Sequence, residues 1–377
     1  MVRSFFKKSY KHLNKIRLSK KALFYNHQVL QKSHPEAKVC PVLKSNAYGH
    51  GLRNLAPIFD SMNCPFLIVD SLFEAYTLYK LNVKTPILII GYTNPSNFTV
   101  KKLPFNIAIF DLETAIFLNK HQPKCNIHLF IDTGMSREGI LVRDLPKFIK
   151  MLKKLKNLNI VGLCSHFADA DNSENYKFTD SQVGEYKKAV EILNINGIYP
   201  IWKHISASAG AAKLVSDDFN MIRAGLSHYG INPLEKKDKY RNKIILQPVF
   251  EFVSTLVQIK KIPKGKFVGY NCTFSTNRDT VLGLLPAGYY EGIDRRLSNK
   301  GVVKIRNQYF PIVGRVSMNM TIIDITKLKR PKVGENVVVY SSKNEDKNSV
   351  SNTASLVGTI PYEILVNTAE SVYREIT

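Results

Sequence analysis

The chain has 377 residues, 44% of them hydrophobic, and a formal net charge of +24. That length exceeds the roughly 250–300 residues at which single cores stop growing, so two domains are expected, and no apolar run reaches the roughly 18 residues of a transmembrane helix. The lysines are scattered, without the aromatic interleaving or zinc-finger spacing of a nucleic-acid reader, so charge alone argues for neither a nucleic-acid nor a membrane partner.

The first 21 residues are basic but lack the apolar core of a signal peptide. They raise the question of a transit peptide, yet residues 17–26 already resemble the start of a folded domain, and a cytoplasmic protein is expected. Short apolar runs follow at 39–43, 65–69, 86–90, 106–110, 127–131, 160–164, 201–205 and 221–226. Helical patterns fall between most of them, at 71–81, 111–119, 145–155 and 180–194. In the lysine-dense stretch 147–156, Phe148, Met151, Leu152 and Leu155 recur at helical spacing and leave the lysines on an outer face. Continuous apolar runs are the mark of buried parallel strands, and eight strand–helix units fit an α/β fold of the (β/α)8 TIM-barrel type over residues 1–233. A doubly wound sheet is the alternative, disfavoured because no Gly-rich dinucleotide loop opens the chain.

Beyond residue 233 the texture changes. Residues 234–243 are charged and turn-like, and strand candidates at 249–259, 281–285, 302–305, 310–313, 320–325 and 336–340 are punctuated by Gly and Pro. A β-rich C-terminal domain over 234–377 is expected, with the mixed stretch 349–374 packing back near the barrel. Cys40, Cys64, Cys125, Cys164 and Cys272 form no metal-type CxxC pair; reduced thiols are expected, four of them in or beside buried strands, and no metal site.

In a barrel, chemistry sits just after the strands, at their C-terminal ends. Lys44, Arg137, His166 and Ser208 follow apolar runs, and Gly225 and Leu226 end the eighth. An unpaired lysine ending a buried strand is costly to desolvate, and burial lowers its pKa and frees its amine as nucleophile or base. A structural lysine, paired or with its head in water, fits the same spacing, and position alone leaves both readings open.

The segment Pro41-Val42-Leu43-Lys44-Ser45-Asn46-Ala47-Tyr48-Gly49-His50-Gly51 resembles the pyridoxal-phosphate signature of the alanine racemase family. Further blocks resemble that family in the same order: DTGMSREG at 132–139, SHFADAD at 165–171, HISASA at 204–209, RAGLSHYG at 223–230, GYYEG at 288–292, GRVSMN at 314–319 and IPYE at 360–363. The resemblance implies a fold-type III enzyme that interconverts L- and D-alanine, supplying D-alanine for peptidoglycan. Its cofactor would be pyridoxal 5'-phosphate carried by Lys44. Tyr48, Ser208, Tyr362 and the backbone amides of Gly225 and Leu226 would hold the phosphate, with hydroxyls and N–H groups as suitable donors. Arg223 would face the pyridine nitrogen and, unable to give up its proton, keep that nitrogen unprotonated. Lys44 and Tyr270 would be the two bases, one on each face of the substrate α-carbon, with His166, linked to Arg223, supplying the cationic surroundings a tyrosine base requires. In the family the tyrosine comes from a partner subunit, so a homodimer with shared active sites is implied. Arg137 and the backbone amide of the partner's Met318 would meet the substrate carboxylate, and Asp171, His204, Tyr289, Arg295 and Arg315 would line an entry corridor.

Four positions depart from the family pattern. Phe130 stands where a carbamylated lysine is common, so Arg137 is expected to lose its anionic neighbour and to be aligned from elsewhere, for instance by a bound anion. Glu291 and Asn319 stand where aspartates are usual, and Ala207 where an asparagine is. These departures bear on rate and substrate breadth, and a serine or broader-specificity racemase of the same family is the alternative. A fold-related decarboxylase is disfavoured by the C-terminal motifs, and a non-catalytic cofactor carrier by the second domain.

Overall fold

Eight parallel strands close on themselves in the structure, a computed structural model that describes residues 11–213 and 218–377. The basic stretch 1–10 lies outside the described residues. The strands are Lys38–Pro41, Leu67–Val69, Ile87–Ile89, Asn106–Ile109, Cys125–Asp132, Leu158–Cys164, Trp202–His204 and Met221–Ala224, one at each apolar run of the first 233 residues. Neighbours pair in parallel around the ring, and the last strand returns to the first in the register Met221↔Lys38 to Ala224↔Pro41. Single bridges between Val42 and Ile68 and between Ala207 and Arg223 complete the closure. Strands covered by helices outside and side chains inside have no wet face, which is why Leu67, Ile68 and Val69 are all buried and the sequence shows runs rather than alternation.

Helices alternate with the strands. Leu72–Lys80 opens on a capping box between Ser71 and Glu74, and Leu112–His121 is capped by the Asp111 carboxylate accepting from the Thr114 amide. The helix expected over 145–155 ends at Leu152. Its buried stripe is Leu145, Phe148, Ile149 and Leu152, the i, i+3, i+4, i+7 set, so Met151 falls off the stripe and is exposed.

The chain divides into two compact units, Lys20–Pro248 and, among the described residues, 11–19 together with Val249–Thr377. The boundary thus lies at 248/249 rather than 233/234. Ile244 and Leu246 are buried with Leu30, Val39 and Ile222 of the barrel, and the Asn26 side chain both donates to Gln247 O and accepts from Gln247 N, at 2.8 Å each.

The second unit is β-rich. Its six-stranded sheet runs Gln308–Pro311, Val302–Ile305, Asn336–Tyr340, Phe250–Thr255, Lys15–Leu18, Tyr373–Ile376. Lys15–Leu18 is an interior strand of this sheet, antiparallel to Phe250–Thr255 and parallel to Tyr373–Ile376. The single strand expected over 249–259 is two, Phe250–Thr255 and Gln258–Ile262, because the chain changes partners between them: the Leu256 amide donates to Glu335 O and the Val257 amide to Leu284 O. Gln258–Ile262 joins Thr280–Leu285 and Thr321–Asp324 in a three-stranded sheet, and Phe267–Val268 pairs with Phe274–Ser275. Two short helices, Val350–Val357 and Pro361–Val366, precede the final strand. All five cysteines are free; four are buried and Cys272 is exposed.

Candidate active site

The first barrel strand delivers Lys44 at its C-terminal end, and the turn that follows is left-handed. Ser45, Asn46, Ala47 and Tyr48 have φ of 54°, 55°, 53° and 52°, a run of four non-glycine residues in a conformation that costs each roughly 1–2 kcal/mol. Local bonds hold it: the Asn46 side chain accepts from the Leu52 amide at 2.7 Å, and Glu74 Oε1 accepts from the Ser45 amide at 2.6 Å. The other Glu74 oxygen accepts from the amides of Asp70 and Ser71, so one carboxylate caps a helix and secures the lysine turn. Of the surroundings its strand-end position left open, Lys44 has the paired, partly exposed ones. Its side chain is 36% exposed and its Nζ lies 3.5 Å from Asp70 Oδ1, because the second strand ends beside the first and carries a carboxylate just past its tip.

Tyr48 is buried, its ring centroid 5.2 Å from that of Tyr229, whose hydroxyl donates to Val42 O at 2.8 Å. Its own hydroxyl reaches Gly225 so closely that a Cβ there would lie 2.4 Å from Tyr48 Oη, so only glycine leaves room at that point. Ser208 Oγ accepts from the amides of Gly225 and Ser227, at 3.2 and 3.1 Å. Leu226 lies between those two donors and is buried. A serine hydroxyl, a phenol and backbone N–H groups therefore converge past strands seven and eight, a donor set that suits a phosphate.

Arg223 projects from the eighth strand and is almost wholly buried. Its Nη1 donates to His204 Nδ1 (2.7 Å) and His204 O (3.1 Å), and its Nη2 to Ser165 O, His166 Nδ1 and Ile205 O at 2.7, 3.0 and 3.2 Å. Among the described residues none of these hydrogen-bond partners is a carboxylate. The geometry fixes the imidazoles. An arginine only donates, so His204 Nδ1 accepts, which leaves the proton on its Nε2 to be donated to His128 Nδ1 at 2.9 Å. His166 likewise accepts at Nδ1 and carries its proton on Nε2. Burial, followed by the Arg223 charge, pushes the His166 pKa down to about 3 and that of His128 to about 3, and lowers that of His204 strongly. The cation here is thus Arg223 itself, and His166 is a neutral donor beside it. His128 fits only because Gly162 stands opposite it; a Cβ at Gly162 would come within 2.0 Å of the ring.

His204 is not a corridor residue. It is completely buried beneath Arg223, since the seventh strand turns it into the barrel. Asp171 is exposed on the loop after the sixth strand. That loop is held by the buried Gln182, which donates to His166 O and accepts from the Ala168 amide. Arg137 does have an anionic neighbour: Glu138 bridges it, taking Nη2 at 2.6 Å and Nε as well.

In the β-rich unit, Tyr270 starts the turn that joins Phe267–Val268 to Phe274–Ser275 and is 68% exposed. Asn299 ties that turn to the next loop, donating to Thr273 O and accepting from the Gly314 amide. Arg315 and Met318 lie on this second loop. Its Ser317 and Met318 carbonyls accept from the amides of Tyr289 and Tyr290, at 3.0 and 2.9 Å. The two positions that depart from aspartate meet here, with Asn319 Nδ2 donating to Glu291 Oε1 at 2.8 Å while Glu291 Oε2 accepts from the Gly288 amide. Tyr289 and Arg295 are exposed, and Tyr362 is half-buried on Pro361–Val366. The neighbouring Glu363 pairs with Arg296 at 3.2 Å.

Sequence reasoning missed Asp70, Glu74, His128 and Glu138. Glu74 had a local signal, the S-x-x-E spacing of a capping box, and Glu138 had its place next to Arg137; Asp70 and His128 depend on which residues adjacent strands bring together.

The alanine racemase N-terminal domain matches residues 18–233 and the alanine racemase C-terminal domain residues 249–376. The alanine racemase of Clostridium novyi is 33% identical over 344 residues, 89% of this chain and 88% of that one. The solved alanine racemase of Clostridium difficile 630 superposes with a TM-score of 0.90 at 28% identity, covering 98% of this chain and 97% of its own. That of Bartonella henselae, with covalently bound pyridoxal phosphate, gives 0.85 at 25% identity, covering 97% of this chain and 100% of its own. With both units matched in order and along nearly their whole length, the chain belongs to the alanine racemase family.

Proposed function

We propose that this chain interconverts L- and D-alanine with pyridoxal 5'-phosphate held at Lys44 and with Lys44 and the partner's Tyr270 as the two bases. The observation that carries this reading is Arg223, a buried permanent cation gripped by carbonyls and neutral imidazoles at the same barrel end as Lys44 and the Ser208–Gly225 donors. Those donors, Tyr48, the Leu226 amide and Tyr362 would hold the phosphate, and Arg223 the ring nitrogen. When bound, the cofactor supplies an electron sink for the α-carbon of the amino acid, a weak one opposite an arginine. Lys44 Nζ takes or returns the α-proton on one face and Tyr270 Oη on the other. The neutral His166, protonated on Nε2, offers a hydrogen bond that stabilises the tyrosine oxygen when it has lost its proton, with Arg223 behind it as the charge. Arg137 orients the substrate carboxylate, helped by the partner's Met318 amide. Asp171, Tyr289, Arg295 and Arg315 line the approach.

A homodimer is part of the proposal. Phe267, Tyr270, Tyr289, Tyr290, Met318 and Met320 are all exposed on the β-rich unit and would be available to a partner. A cytoplasmic location and a supply of D-alanine for peptidoglycan complete the reading; among the described residues no helix is long and apolar enough to cross a membrane.

Mixing two inactive variants tests the shared site. Subunits carrying Lys44→Ala and subunits carrying Tyr270→Ala are each expected to form inactive homodimers. After random exchange of equal amounts about half the dimers are mixed, each with one intact site, so alanine racemisation should rise toward about a quarter of wild type. No gain, with exchange verified by mass, would rule out a site built from two chains.

A further inference from the structure

The fifth barrel strand turns Phe130 inward, where it packs against Ala108, Cys164 and Phe110. The surroundings of Phe130 are apolar, and its side chain can offer no anion to Arg137. The anion comes instead from the residue following that arginine. Glu138 receives both Nε and Nη2 of Arg137, the side-on fork that matches a carboxylate to a guanidinium. A surface ion pair is ordinarily weak, but the Glu138 side chain is only 24% exposed. The loop holding the pair is pinned at both ends. Asp132 Oδ1 accepts from the amides of Gly134 and Ser136, and Gly139, at φ 124°, sits so close to the Asp132 amide that a Cβ would lie 2.4 Å away.

A guanidinium has five N–H groups in one plane. With Nε and one N–H of Nη2 committed to Glu138, the opposite edge, formed by Nη1 and the outer N–H of Nη2, keeps a second two-pronged face. We propose that Glu138 is the positioning residue for substrate binding: it clamps one edge of Arg137 and thereby sets the plane and direction in which the other edge meets the amino-acid carboxylate. The proposal rests on the reading of Arg137 as the carboxylate-binding group.

The test uses the cofactor-loaded enzyme with Glu138→Gln and Glu138→Leu, and a second measurement that does not depend on turnover. The KM for alanine is expected to rise about tenfold or more in Glu138→Leu and less in Glu138→Gln, with kcat changed less than about threefold, because the bound substrate is misaligned but both bases remain. Added formate, a carboxylate small enough for the vacated place, should lower the KM of Glu138→Leu and leave the wild type unaffected. Separately, labelling of Arg137 by phenylglyoxal, located by peptide mass, should be faster in both variants without substrate. A wild-type KM in Glu138→Leu would overturn the proposal, as would an unrescued KM with an unchanged labelling rate. A wild-type protein inert toward alanine would instead overturn the proposed function, while the labelling rates would still decide whether the pair exists.

Discussion

Asn319 and Glu291 each stand where an aspartate is usual, and the structure makes them partners. The amide–carboxylate bond ties the loop of Met318 to the turn of Tyr289. Restoring the common residue at one position alone should therefore harm. Asn319→Asp sets two carboxylates against each other, worth about 0.5–1 kcal/mol at a wet site, and a few-fold rise in the KM for alanine is expected. Asn319→Asp with Glu291→Gln should bring KM back. An unchanged KM in the single variant would show that this loop does not orient substrate. At this scale the sequence was informative where a residue acts within its own motif. Lys44, Tyr48, Ser208 and Arg223 stand where their blocks put them, on one end of the barrel. It was uninformative where chemistry depends on inward or outward register. His204 was assigned to a corridor, whereas its strand turns it under Arg223. His128, two residues before Phe130 on the same strand, also faces inward, and its role appears only once Gly162 is seen opposite it.

Among elements, the helix Leu72–Lys80 does more than fill the barrel's outer layer. Its capping carboxylate, Glu74, is also an acceptor for the strained turn after Lys44. Glu74→Ala should lower stability by about 1–2 kcal/mol, as for the loss of a good cap, and should loosen the lysine turn. Hydrogen exchange checks both parts: the Ser45 amide should lose protection along with those of Asp70 and Ser71. If Ser45 stays protected while the other two exchange, the cap and the turn are independent. The barrel strands were readable because most of their residues are buried on both faces, as in Leu67–Val69, Ile87–Ile89, Asn106–Ile109 and Met221–Ala224. The break in the first β-rich strand was not, since Leu256 and Val257 are as apolar as the strands they separate and only their switch of partners divides the run. The domain boundary was misplaced for a related reason. Residues 234–243 look like a linker, but Ile244 and Leu246, just beyond them, are still barrel core.

For the molecule as a whole, buried imidazoles make stability depend on pH. His128 and His228 are held near 3 by burial, and His204 is shifted the same way. In an unfolded chain these groups titrate near 6.5. Between those values the unfolded state binds protons that the native state refuses, so stability is complete above about pH 6.5 and declines as the pH falls toward 3. Each histidine contributes a slope of up to about 1.4 kcal/mol per pH unit. A melting temperature that drops steadily from pH 7 to pH 4, less steeply in His128→Gln, is expected. A flat profile would mean that these rings are charged inside the barrel.

The strand Lys15–Leu18, which lies between Phe250–Thr255 and Tyr373–Ile376, has a consequence for how the chain is made. It precedes the whole barrel in the chain, yet both its partners are encoded after the barrel. The barrel contains every strand it needs by residue 224 and can close while translation continues. The β-rich unit cannot, so this strand must wait, unpaired and with Ile16 and Leu18 uncovered, until Tyr373–Ile376 has been made.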